Sequence, residues 1–313
     1  MNPPCSILVL RAGALGDFIL TMPALMSLRQ AYPQARLELR AHPERTALAQ
    51  AAGLVDCGRD INAAEMAELF LPQDLPANLA AYFHRFDRII CFLADRDRIL
   101  RRHFCALGIR NFTMIPPRPD LAPDGRPAGS QITTRTRTRH VADIWRTAAA
   151  AAAPAACVQP YLHRLSGGAP VCLLHPGSGS PLKNWPLAGF MALADTLQRH
   201  DLKPVFILGE AETDMLPALR DKWPVIWQPS LLMAAGILTA ATRYVGNDSG
   251  ISHLSAILGA PTVALFGPTD PAVWGPRGRQ VHIIRGKTGG AIENIGLAEV
   301  LEKIINCGSE KTM

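Results

Sequence analysis

Asn247-Asp248-Ser249-Gly250, with His253 three residues further on, gathers a carboxamide, a carboxylate, a hydroxyl and an imidazole at one point of the chain. An apolar strand predicted over Tyr244–Gly246 runs into this turn, and a helix predicted over Ser249–Leu258 leaves it. A second buried strand, Thr262–Phe266, ends in another polar turn, Gly267-Pro268-Thr269-Asp270. Strand ends that open onto helix starts form a crevice at the carboxyl edge of a parallel sheet, where α/β proteins hold ligands. The free N–H groups of the helix start suit a phosphate. Asp248 and His253 flank that point, where either can hold a sugar hydroxyl or a phosphate oxygen. The chemistry is that of a nucleotide-diphosphate site. Taken one residue at a time, a helix cap at Asp248 or Ser249 and a buried core histidine at His253 explain the segment equally well.

Two further constellations lie at strand-to-helix corners. His175-Pro176-Gly177-Ser178-Gly179-Ser180-Pro181-Leu182-Lys183-Asn184-Trp185-Pro186 follows a predicted buried strand. Small residues with free N–H and hydroxyl donors, then a lysine, suit a diphosphate whose charge grows as it leaves. The alternative is a surface loop with a solvated Lys183. Near the N-terminus, Leu8-Val9-Leu10-Arg11-Ala12-Gly13-Ala14-Leu15-Gly16-Asp17 precedes a helix led by Phe18. Gly13 and Gly16 let the backbone turn tightly against a ligand, and Asp17 could remove a proton from an attacking hydroxyl. On spacing alone, Asp17 reads as the cap of that helix. The G-x-x-G-D pattern is not the dinucleotide fingerprint. A fourth strand end, Leu208-Gly209-Glu210-Ala211-Glu212, offers carboxylates to a ribose or base, or to a helix N-terminus.

The elements that must position these groups alternate strand and helix. Strands are predicted over Ile7–Leu10, Leu37–Ala41, Arg88–Leu93, Phe112–Ile115, Val171–His175, Pro204–Leu208 and Val225–Trp227, besides the two above. Helices fall over Phe18–Ala31, Glu44–Ala52, Ala77–Phe86, Ile99–Leu107, Pro186–His200, Glu212–Lys222 and Leu231–Ala241, with another containing Val141–Trp145. This predicts an α/β chain of parallel sheets joined by right-handed crossovers. At 313 residues, two domains are expected, 1–160 and 161–313, with the break inside Thr147–Pro170.

Composition is globular: 48% hydrophobic and 19% charged residues, with a net charge of +6 that favours anionic partners. The seven cysteines are scattered without a C-x-x-C pair, so neither a disulfide frame nor a zinc site is expected. Arg11 and Asp17 interrupt the apolar N-terminus before it reaches the ~20 residues needed to cross a bilayer. No basic segment precedes it, so a cytoplasmic protein is expected. Arg96, Arg98, Arg101, Arg102, Arg135, Arg137, Arg139 and His140 could meet acceptor phosphates or the inner-membrane surface, or simply face solvent. No aromatic residues interleave with them, which argues against nucleic acid. Asp95-Arg96-Asp97, formally D-x-D, reads as a solvated turn.

In order and spacing, these segments resemble glycosyltransferase family 9, the ADP-heptose:lipopolysaccharide heptosyltransferases. The resemblance rests on Gly16-Asp17 with Leu20-Thr21-Met22-Pro23-Ala24-Leu25 and on His175-Pro176-Gly177 with Lys183-x-Trp185-Pro186. It extends through Asn247-Asp248-Ser249-Gly250-x-x-His253-Leu254 to Phe266-Gly267-Pro268-Thr269. It implies a GT-B fold, two Rossmann-like doubly wound domains facing across a cleft. Acceptor would bind mainly in the N-terminal half and nucleotide sugar in the C-terminal half, and the last helix could return to the N-terminal domain. It further implies an inverting, metal-independent transfer with no cofactor besides an ADP-sugar donor, onto a lipopolysaccharide core or related glycan, with a peripheral contact to the inner membrane. Asp17 matches the family's base. Ser178 and Lys183 match diphosphate contacts, and Asp248, Ser249, Gly250 and His253 match donor positions. Glu210 or Glu212 matches an acidic contact to the nucleoside. A different nucleotide-sugar donor, an epimerase on the same fold, and a non-catalytic sugar-nucleotide-binding paralogue remain the alternatives.

Overall fold

The computed structural model describes residues 4–95, 97–115, 166–286 and 291–307. The chain divides into two compact units, Met1–Thr136 and Arg137–Met313. The expected boundary at 160/161, the helix containing Val141–Trp145, and Arg96, Arg135, Arg137, Arg139 and His140 all lie outside the described residues.

The first unit is a five-stranded sheet in the order β3-β2-β1-β4-β5. Its strands are β1 (Ser6–Leu10), β2 (Arg36–Ala41), β3 (Cys57–Asp60), β4 (Arg88–Cys91) and β5 (Phe112–Met114). All pair in parallel. Helices α1 (Leu15–Ala31), α2 (Pro43–Ala51), α3 (Ala77–Phe83) and α4 (Ile99–Ala106) make the connections. A parallel sheet is covered on both faces, so its central strands read as unbroken apolar runs rather than alternations. Ile7–Leu10 of β1 is wholly buried, as that rule requires. β2 departs from it. Glu38 and Arg40 are buried, and Tyr82 of α3 bridges them: its hydroxyl donates to Glu38 Oε1 at 2.6 Å and accepts from Arg40 Nε at 2.9 Å.

The second unit is a six-stranded parallel sheet, β11-β10-β9-β6-β7-β8. Its strands are β6 (Val171–His175), β7 (Lys203–Leu208), β8 (Val225–Trp227), β9 (Arg243–Asn247), β10 (Thr262–Phe266) and β11 (Val281–Arg285). Helices α5 (Leu187–Gln198), α6 (Leu216–Arg220), α7 (Leu231–Ala240), α8 (Gly250–Ile257), α9 (Pro271–Trp274) and α10 (Leu297–Asn306) cover it. β6 and β10 are buried along their whole length. Val300 and Ile304 of α10 join the core of this unit, with Trp185, Phe190 and Leu193.

Where the observed elements differ from the sequence expectation, the causes are local. β3 and β11 are edge strands that the pattern did not predict. β3 reads Cys-Gly-Arg-Asp, with no apolar run, and a Cβ on its Gly58 would lie 2.5 Å from Thr46 Cβ of α2. β11 buries only Ile284 fully. The helix expected over Glu212–Lys222 is a 3-10 turn over Glu210–Met215 followed by α6, because Glu212 leaves helical geometry at φ −104° and ψ 18°. α1 starts at Leu15, not Phe18, with Ala14 at its N-cap. Among the described residues, no helix is long and apolar enough to cross a membrane.

Candidate functional site

In a doubly wound sheet the ligand crevice opens where successive crossovers leave one strand in opposite directions. The first sheet has that point between β1 and β4, and the second has it between β6 and β9. The three predicted constellations sit at these points, one after β1 and the others after β6 and β9.

At the β1 end, Gly13 turns the chain with φ +106°, a conformation L side chains rarely adopt. Asp17 lies in the first turn of α1, half-buried, where the helix dipole favours a carboxylate. It does not cap the helix, since Ala14 occupies that position. Its carboxylate rests on the glycine turn: a Cβ on Gly13 would stand 3.2 Å from Asp17 Oδ2. Gly16 lies inside α1, one residue before Asp17. Two guanidinium groups accompany the carboxylate. Arg11 is buried, donates from Nη1 to Phe92 O at 3.3 Å, and lies 5.8 Å from the Phe92 ring centroid. Arg45, from the first turn of α2, donates from Nη1 to Gly13 O. Burial lowers the pKa of both arginines, and attraction from Asp17 opposes that shift in each.

At the β6/β9 point, Lys183 Nζ donates to Asp248 Oδ2 at 2.8 Å, and Thr269 Oγ1 donates to the same oxygen at 2.6 Å. Three strand ends thus meet on one carboxylate: the loop after β6, the turn after β9 and the turn after β10. Asp248 is 7% exposed, whereas the Lys183 side chain keeps 30% exposure. An ammonium has three N–H donors, so a lysine held by one carboxylate can still address an anion. Ser249 is the N-cap of α8, its hydroxyl accepting from Ser252 N at 3.3 Å. The cap therefore falls to Ser249, while Asp248 is the bridging carboxylate. Gly250 opens α8, and His253 is buried one turn on.

The loop itself is stitched to β9 by Asn247, whose Oδ1 accepts from Trp185 N at 3.0 Å and whose Nδ2 donates to Pro176 O at 2.7 Å. Ser178 Oγ donates within the loop, to Asn184 Oδ1 at 2.6 Å or to Ser180 O at 2.8 Å. These bonds keep the Ser178 hydroxyl inside the loop. The two acidic candidates part company. Glu210 is exposed. Glu212 is 5% exposed and accepts from Gly209 N through Oε2 at 2.7 Å. Glu212 also packs on Gly177 and raises the His175 pKa against a larger lowering by burial.

Sequence reasoning thus placed Asp17, Ser178, Lys183, Asp248, Ser249, Gly250 and His253 at the two crevices, and it left Arg45, Thr269, Asn184 and Asn247 unassigned. Thr269 and Asn247 stood inside turns already singled out for their polarity. Arg45 stood in an unremarkable helix start, and only the β2–α2 crossover brings it to Gly13. Asp95, read as part of a solvated turn, also accepts from two first-turn amides of α4: its Oδ1 from Leu100 N at 2.9 Å and its Oδ2 from Arg101 N at 3.2 Å.

Gly177 yields one expected result. A Cβ there would meet Glu212 Oε1 at 1.8 Å, and Glu212 cannot retreat without breaking its bond to the Gly209 amide. Gly177→Ala is expected to destabilise the protein by about 1–3 kcal/mol through overpacking. A melting temperature equal to wild type would show that the Glu212 contact is slack.

Residues 135–303 match the family model described as glycosyltransferase family 9 (heptosyltransferase). Among curated proteins, lipopolysaccharide heptosyltransferase 1 of Pseudomonas aeruginosa is 34% identical over 121 residues, 37% of this chain and 34% of that enzyme. Matches to the first curated relatives span less than half of their own lengths. The structure of a family 9 glycosyl transferase from Veillonella parvula aligns with a TM-score of 0.75 at 20% identity, over 99% of each chain. That of the E. coli ADP-heptose lps heptosyltransferase II aligns at 0.70 and 21% identity, over 96% of this chain and 97% of the other. The shared fold is of the GT-B type, two parallel-sheet α/β units.

Proposed function

The chain belongs to glycosyltransferase family 9, and from that premise we propose that it transfers a heptose or similar sugar from an ADP-sugar to a hydroxyl of a lipopolysaccharide core or related glycan. The observation that carries this reading is the Lys183–Asp248–Thr269 junction beside the N-terminus of α8 at the switch point of the second sheet. It offers a partly exposed cation, backed by a buried carboxylate, together with the first amides of an eight-residue helix.

The reaction is a single displacement with inversion. Asp17 takes the proton of the acceptor hydroxyl as its oxygen attacks the anomeric carbon. The bond from that carbon to the diphosphate breaks, and the nucleoside diphosphate departs with the electron pair. Its added negative charge is met by Lys183 and the α8 amides, which replace a divalent metal in that role. Exposed Glu210, not Glu212, is the acidic group available to the nucleoside, since Glu212 is committed to the Gly209 amide. The glycan acceptor, which belongs to a membrane-borne lipid in lipopolysaccharide, gives a peripheral contact with the cytoplasmic face of the inner membrane a purpose.

A thermal-shift panel of ADP, UDP, GDP and CMP tests the donor. Ligand that binds only the native state raises the melting temperature by mass action, by about 2.7 kcal/mol of stability at one hundred times Kd. Selective stabilisation by ADP is expected. Preference for UDP or GDP would replace the donor and keep the chemistry. No response to any of the four would overturn the nucleotide-sugar reading.

A further inference from the structure

Resting on the assignment of Asp17 as the base, we infer that Arg45 is a positioning residue for it: its guanidinium clamps the Gly13 carbonyl and so fixes the turn against which the Asp17 carboxylate lies. Three observations carry this. Arg45 Nη1 donates to Gly13 O across 32 positions of sequence. Gly13 is held at φ +106°. The Asp17 carboxylate approaches Gly13 so closely that even a methyl group there would touch it, at 3.2 Å from Oδ2. A single hydrogen bond from α2 therefore governs the peptide that defines one wall of the carboxylate's seat.

The other cation at this corner cannot do the same work. Arg11 spends its Nη1 on Phe92 O and lies beside the Phe92 ring, at the end of β4. Arg45 is only half-buried and arrives from a rigid start: Pro43 is the first residue of α2, and Arg45 N donates to His42 O at 2.9 Å. Its charge also remains within electrostatic range of Asp17 and Glu44, the latter on its own helix. Arg45 belongs to the first unit, whereas Lys183 and Asp248 belong to the second.

The test pairs Arg45→Ala and Arg45→Lys with Asp17→Asn, all assayed in the full chain with ADP-heptose and deacylated lipopolysaccharide core. Arg45→Ala is expected to lower kcat by about 10- to 100-fold, the scale of a displaced catalytic group, with KM for the donor unchanged. Added guanidinium ion should restore part of the rate in Arg45→Ala and none in Asp17→Asn. Arg45→Lys should recover less than the rescued variant, since a lysine lacks the reach and the planar fork. In the same proteins without substrate, amide hydrogen exchange of residues 11–18 should quicken in Arg45→Ala at unchanged melting temperature. Unchanged exchange in that segment overturns the clamp whatever the substrate. A raised donor KM with unaltered kcat overturns it as well. Full activity of Asp17→Asn would remove the base assignment instead, a failure seen in a different variant.

Discussion

Asp17→Asn is expected to reduce sugar transfer by about 10²- to 10⁴-fold, the contribution of a positioned general base, while ADP binds as it does to wild type. The substitution is nearly isosteric, and Asp17 makes no capping bond that the amide would lose, because Ala14 holds the N-cap. Its carboxylate lies on the Gly13 turn at the carboxyl edge of the first sheet, whereas the donor constellation is built on the second. Rate and donor affinity should therefore separate cleanly. Single-turnover transfer and ADP titration, run on the same preparation, measure the two. Equal transfer in the variant would eliminate Asp17 as the base. The same assay run with a strong chelator of divalent cations should lose no rate, since Lys183 and the α8 amides are proposed to receive the leaving charge. A clear loss would assign that role to a metal.

Lys183→Met is expected to act twice. Asp248 is 7% exposed and, among the described residues, would keep only the Thr269 hydroxyl as a side-chain partner. A buried carboxylate stripped of its cation costs stability, here about 1–3 kcal/mol because Lys183 itself is partly solvated. In a unit of this size, each kcal/mol moves the melting temperature by about 2–4 °C. Separately, loss of a charge-assisted contact to the diphosphate should weaken ADP by about 10- to 100-fold, equivalent to about 1.4–2.8 kcal/mol. Adding Asp248→Asn distinguishes the effects, because it removes the stranded charge. The double variant should regain melting temperature yet bind ADP no better than Lys183→Met. Recovery of ADP affinity in the double variant would mean that Lys183 serves only to neutralise Asp248.

The amino-acid sequence alone determined the alternation of strands and helices, because buried parallel strands such as Val171–His175 and Thr262–Phe266 are continuous apolar runs that end in polar turns. It also marked the corners at which chemistry is possible, since Gly13, Gly177 and Asn247-Asp248-Ser249-Gly250 all stand directly after such runs. Two of the four edge strands escaped it. Cys57–Asp60 and Val281–Arg285 gain their place from one neighbouring strand rather than from their own pattern. The division of labour within each corner also needed the tertiary structure. Sequence spacing allowed Asp17, Asp248 and Ser249 each to cap a helix, and only Ser249 does. It offered Glu210 and Glu212 on equal terms, and folding buries one against Gly177 while exposing the other. Arg45 and Gly13, and likewise Lys183 and Asp248, are brought together only by crossovers spanning 32 and 65 positions of the chain. A local pattern records burial and turn chemistry because these act within a few residues. Partners across a crossover are set by sheet order, which no short stretch of sequence contains.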